Sequence, residues 1–329
     1  MNSAVSQNLK KTPIKFVKDA INAPLINVDD TRDAGVDKWK QIDLVNAVDS
    51  GFMVSVGIGE HPTKNLWDTE FWWNEIAVVL SGEMVVQDLD TGAVYRGREN
   101  DLFYFAPGLR ARLGGAFRCY FVKTPASSQI VKTPKGIKLS NPLNVTKEIL
   151  TGGSPPVETR QAVASSTVLK QRSLIKFVRG ALGASPDKVG TTKESLDENW
   201  WTVPLVDAVE SNLVLTASIA RHSETMNFWH DHTWHQIVLF LGGEMITEVL
   251  DTGEVYKAHK GDLLYFAPGL KHRVGGNFHV FPVLTPPRWR HIRGPEGNKE
   301  LNMVLRMDNE MIYPGTPPDG VRNEPLQRV

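Results

Sequence analysis

Apolar positions along the chain fall into short runs rather than helical stripes. IAVVL (76–80), MVVQDL (84–89) and LFYFA (102–106) are rich in β-branched and aromatic residues. IVLFL (237–241), MITEVL (245–250) and LLYFA (263–267) have the same character. Between them stand SGE, DTG, ENDL, APGL and GG, all turn signals. Such runs predict strands. LDTG, set between two of them, predicts a hairpin, because Asp and Gly supply the backbone angles a tight turn needs. Many short strands at close spacing predict an all-β sandwich or barrel. Helical periodicity is weak; short helices are expected only in the linker and near the C-terminus.

The pattern repeats. Ser81–Pro125 aligns without a gap onto Gly242–Pro286, at an offset of 161 residues. The same offset carries IKFV at Ile14 onto IKFV at Ile175, Trp39 onto Trp200 and His61 onto His222. The chain is therefore two copies of one unit, joined through a Pro/Ser/Thr/Gly-rich stretch from about Ala126 to Arg172. Units at 1–160 (linker included) and 161–329 are expected. An IKFV strand is a candidate to pair across an exposed sheet edge.

Composition narrows the class. With 329 residues and 41% hydrophobic content, each unit can build a core. Lys+Arg and Asp+Glu both number 37, so no net field points to nucleic acid or a membrane surface. Cys119 is the single cysteine, which excludes an internal disulfide and fits a reducing compartment. No run is long enough to span a bilayer. The N-terminus lacks the apolar stretch of a secretory signal. A cytoplasmic protein is expected.

The candidate chemistry lies in HDHTWHQ, from His230 to Gln236. On a strand, His230, His232 and Gln236 share a face by parity. His272 follows the APGL turn, 36 residues after Gln236. Neutral imidazoles and an amide oxygen suit a first-row divalent ion. The competing reading, ordinary polar residues on a sheet, fits a lone histidine better than three at this spacing. His230-x-His232-x3-Gln236-x6-Gly243 resembles the first cupin motif, whose fourth position is usually Glu. Gly261-Asp262 with Pro268-Gly269-x2-His272 resembles the second. The resemblance spans both halves and implies a bicupin: two tandem double-stranded β-helix (jelly-roll) barrels. The first copy has Thr69, Phe71, Glu75 and Ala111 at the ligand positions. One divalent metal per chain is thus expected, in the C-terminal unit, with Glu75 a hydrogen-bonded or solvated remnant. His235 is the alternative fourth ligand if the strand carries a bulge.

The internal comparison also sorts scaffold from chemistry. Glu83/Glu244, Asp101/Asp262, Tyr104/Tyr265, Arg112/Arg273 and His61/His222 occur in both copies and are more simply explained by folding. Trp229, Phe240 and His279 belong to the second copy alone. Trp229, Trp234, Phe240 and His222 are candidate pocket residues. His235, Tyr265 and His279 are candidate acid–base groups. His259 and His291 are expected on the surface.

Three imidazoles and an amide leave the ion its full charge, so it should attract a small anionic chelating substrate. The resemblance to bicupin ring-cleaving enzymes implies an Fe(II) dioxygenase consuming O₂. The alternatives are non-redox isomerase, lyase or cyclase chemistry through an enolate, with Mn, Ni, Co or Zn also fitting the ligands, or a non-catalytic binding bicupin. The partner is expected to be a small molecule, and the chain a homo-oligomer, as a dimer.

Overall fold

The computed structural model describes residues 13–28, 39–126, 174–188, 200–208, 210–212, 214–223 and 234–287. It also gives the backbone of 129–133, 136–140, 229–230, 289–294, 297–302 and 312–313. The division near residue 160, most of the linker, the side chain of His291 and the body of the C-terminal tail lie outside these residues. Where short helices were expected, the described parts are strands instead: Gln129–Thr133 pairs with Gly136–Ser140, and Trp289–Gly294 with Gly297–Asn302. Among the described residues the chain is all β, apart from two single 3-10 turns at Ala20–Asn22 and Ala181–Gly183. The two repeats form two barrels, each built on a ten-stranded sheet.

The backbone of each barrel is a long ribbon. Asn74–Asp88 and His235–Val249 are single strands of 15 residues. The SGE and GGE signals therefore do not reverse the chain. They bend a continuous strand, and GG at 275–276 likewise bends the strand His272–Thr285. Gly243 (φ +72) and Gly276 (φ +110) occupy the bend on its two sides. A Cβ at Gly243 would fall 2.1 Å from the Asn277 carbonyl oxygen, and one at Gly276 2.3 Å from that of Glu244. The strands approach so closely here that only glycine fits, and the ladder continues on either side. The LDTG hairpin forms as expected: Asp88 Oδ1 accepts the N–H of Asp90 at 2.9 Å and of Thr91 at 3.2 Å, and Gly92 takes φ +76.

The IKFV strands change places. Ile14–Val17 pairs with Leu263–Phe266 of the second copy, and Ile175–Val178 pairs with Leu102–Phe105 of the first. The pairing across an edge thus occurs inside one chain. The shared aspartates latch it: Asp262 Oδ1 accepts Asp19 N–H and Asp101 Oδ1 accepts Gly180 N–H, both at 2.7 Å. Lys15–Asp49 and Lys176–Glu210, both at 2.6 Å, tie each exchanged strand back to its own copy.

Strand parity separates three cores. In the first barrel Ala77, Val79, Cys119 and Phe121 face the interior. Ile76, Val78, Tyr120 and Val122 face the second barrel. In the second barrel Val238, Phe240, Phe278 and Val280 face inward. Ile237, Leu239, Phe281 and Val283 join the shared core between the barrels. Repeat-related residues meet on the local two-fold axis: Tyr120 packs edge-on to Phe281 at 6.2 Å, and Thr124 Oγ1 lies 3.2 Å from Thr285 Oγ1. Each fully buried large side chain contributes roughly 1.5–3 kcal/mol, so this core binds the two halves into one body.

Candidate metal centre

Gln236 is the second residue of the long strand of the second barrel. Its parity with Val238 and Phe240 turns it to the interior. Its backbone partner on the neighbouring strand is Phe266. The Phe266 ring stacks on His272 at 4.7 Å and 18°. Closure of the barrel thus brings the start of one motif beside the end of the other, although 36 residues separate them. His272 is 1% exposed, and its Nδ1 lies 3.1 Å from the Leu270 carbonyl. Nδ1–H donates to that oxygen, which leaves the ligand lone pair on Nε2. Burial lowers the His272 pKa to about 4, so the imidazole is neutral at physiological pH. His230 stands directly opposite His272 in the backbone register. His232, and the side chains of His230 and Trp229, lie outside the described residues. Among those described, no group of three or more His, Cys, Asp or Glu forms a cluster. The donor types that are described fit a divalent ion: a pinned neutral imidazole and an inward-facing amide.

The same place in the first barrel is filled differently. Phe71 stacks on Phe105 at 4.5 Å, and Ala111 is fully buried beside the same core. Glu75 is hydrogen-bonded, not solvated: Trp73 Nε1–H donates to it at 2.7 Å. Lys123 Nζ stands 3.9 Å from Glu75, 4.7 Å from the Phe121 ring centre and 5.4 Å from that of Trp73. An ammonium held by a carboxylate and two aromatic faces supplies fixed positive charge there. Sequence reasoning missed Lys123. The signal was present: Lys123 aligns with Leu284 and shares the inward parity of Cys119 and Phe121.

Other expected site residues lie elsewhere. His235 Nδ1 lies 2.8 Å from the Tyr265 hydroxyl, and both are buried on the face turned away from Gln236. The first copy makes the same contact with other chemistry, Tyr104 donating to Asn74 at 2.6 Å. His235 is therefore not placed to replace Gln236, since the ladder is unbroken from His235 to Phe240 and parity holds. Burial raises the Tyr265 pKa well above the ordinary phenol range, which unsuits it as a base. His279 shares the outward parity of Phe281 and borders the space between the barrels. Phe240 is 1% exposed and packed in the barrel core, and Trp234 is buried. His222 Nδ1 bonds the Gly276 carbonyl at 3.0 Å, as His61 bonds Gly115 at 2.8 Å. That shared contact joins two strands at the ribbon's bend. His259 is on the surface, as expected.

No protein-family model matches the chain, and no curated protein matches it. Solved structures of oxalate decarboxylase from Bacillus subtilis do match. One multiple-residue variant is 12% identical, with 83% of this chain and 77% of that one covered, at a TM-score of 0.49. A deletion variant is 12% identical over 88% and 79% of the two chains, at 0.49. A third structure, from work on the Mn(II) centres of that enzyme, is 13% identical over 83% and 77%, at 0.48.

Proposed function

We propose that the chain is a metal-dependent bicupin enzyme with its centre in the C-terminal barrel. Its ligands are His230, His232, Gln236 and His272, and its substrate is a small chelating oxyanion. The observation that carries this is His272: buried, neutral, tautomer-pinned, opposite His230 in register and beside the row that holds Gln236. A bound divalent ion supplies Lewis acidity toward carbonyl and carboxylate oxygens. The protein's part is to keep that charge undiluted, because every proposed donor is neutral, and to wall one side with the Phe266 ring. This favours non-redox chemistry of the lyase or isomerase kind through an enolate or carboxylate. Mn and the other divalent ions expected from the ligand set all fit.

An Fe(II) dioxygenase is the second reading, on the aromatic groups near the ligands. Two of the expected wall residues weaken it. Phe240 and Trp234 are buried, which is the behaviour of core. Turnover of small hydroxy- and oxo-carboxylates by metal-loaded protein under anaerobic and aerobic conditions tests the choice. Equal rates support the Lewis-acid reading. Activity confined to the aerobic sample, with O₂ uptake, overturns it in favour of the dioxygenase.

A further inference from the structure

A cavity lies between the two barrels, distinct from either barrel interior. It has a volume of about 500 Å³, within the range of small-molecule sites. It lies on the local two-fold axis, because repeat-related residues line it in pairs: Ile21 and Leu182, Leu80 and Leu241, Arg118 and His279, Glu99 and Lys260. The apolar pairs obey the symmetry and the polar pairs break it. Arg118 is committed to the protein: its Nη2 donates to the carbonyls of Ile21 at 2.9 Å and Ala23 at 3.0 Å, and Nη1 stands 3.5 Å from Glu60. The guanidinium is therefore rigid, held by the turn after the exchanged strand. His279 makes no matching contact. Its Nε2 is buried and meets no hydrogen-bond partner among the described residues. A buried polar atom left without a partner is costly, so a ligand atom supplied there is favoured. Arg221 lies close enough to help keep the imidazole neutral, after the larger effect of burial. The charges lining or bordering this end, Arg118, Lys260 and Arg221 against Glu99 and Glu60, leave it net positive.

We propose that this inter-barrel cavity is a binding site for a small monocarboxylate with an apolar body. The carboxylate would accept a hydrogen bond from His279 Nε2–H, brought to the cavity by a turn of the imidazole, in the positive field of Arg118 and Lys260. The body would lie between Leu80, Leu182 and Leu241. The ligand bridges both halves of the chain, so its binding stabilises their contact by linkage. The site needs nothing from the metal centre.

Benzoate is the probe, followed by saturation-transfer NMR and calorimetric titration on the full chain. His279→Leu removes the donor. Ser81→Trp, at an exposed rim position, fills the cavity without entering the core. The expected result is saturable binding by the wild type, weakened at least about tenfold by each variant, as loss of one charge-assisted hydrogen bond or of the space requires. His272→Ala protein binds benzoate with unchanged affinity. Thermal melts check that the variants are folded, and Ser81→Trp stands if His279→Leu is not. No saturable binding, unaltered affinity in Ser81→Trp, or loss of binding in His272→Ala overturns the proposal.

Discussion

The two barrels share a ribbon, a latch and a bend, yet handle the same interior spot in opposite ways. The second presents a pinned imidazole beside an inward amide. The first closes the spot with stacked Phe71 and Phe105, and sets the Lys123 ammonium against Glu75. On the proposed reading both solutions bring a positive charge to a position where the fold holds a polar acceptor: the first barrel through the Lys123 ammonium, the second by recruiting an ion. The comparison teaches that one interior position of this fold can be closed by stacked rings and an internal ion pair in one copy while its counterpart keeps a neutral donor set.

The largest effect is expected at His272. His272→Ala should leave the chain with almost no bound divalent ion and lower turnover by at least about a hundredfold, whereas changes at Ala111 should not touch existing metal. The converse experiment is sharper. Thr69→His, Phe71→His and Ala111→His, combined with Lys123→Leu, should give the first barrel a ligand set completed by Glu75. Metal analysis should then move toward two ions per chain. With Lys123 retained, the second ion should bind far more weakly, since the ammonium competes for Glu75.

Next in size is the metal-free protein's response to acid. His272 has a folded pKa of about 4, below the unfolded imidazole value near 6.5. The unfolded chain therefore takes up the proton first. The stability this neutral histidine permits is fully present above about pH 6.5 and lost as pH falls toward 4, by up to about 3 kcal/mol. Denaturant titrations of apo protein across that window should show the loss, and a His272→Phe variant should show it reduced.

Lys123→Met should destabilise the first barrel by about 1–3 kcal/mol, the cost of leaving the half-buried Glu75 without its cation. Adding Glu75→Gln should recover most of it, and a double-mutant cycle in urea measures the coupling. The smallest effect belongs to His235→Asn, which copies the Asn74–Tyr104 pair into the second barrel. It should change stability by less than about 1 kcal/mol and leave metal content unaltered.

Much of this was legible in the residues. The gapless repeat gave two all-β units, and parity separated Gln236 from His235. What parity could not show was that IKFV leaves its own barrel, because exchange depends on which edge is nearest once both barrels exist. Nor could local signals tell a bend from a reversal at SGE and GGE: the same glycine conformation serves both, and only the continuing ladder decides. Tyr265 and His279 were misplaced for one reason. The outward faces of the strands are covered by the other barrel, so burial and polarity there do not mark the metal centre. Lys123 is not marked by the motif comparison because it aligns with Leu284 and not with a ligand position.

The central claim is that one barrel binds metal and the other does not. Element-resolved metal content of purified wild type and His272→Ala, after reconstitution with excess divalent ions, tests it most directly. The account predicts about one ion per chain in the wild type and close to none in the variant. No metal in the wild type, or an unchanged content in His272→Ala, would contradict it.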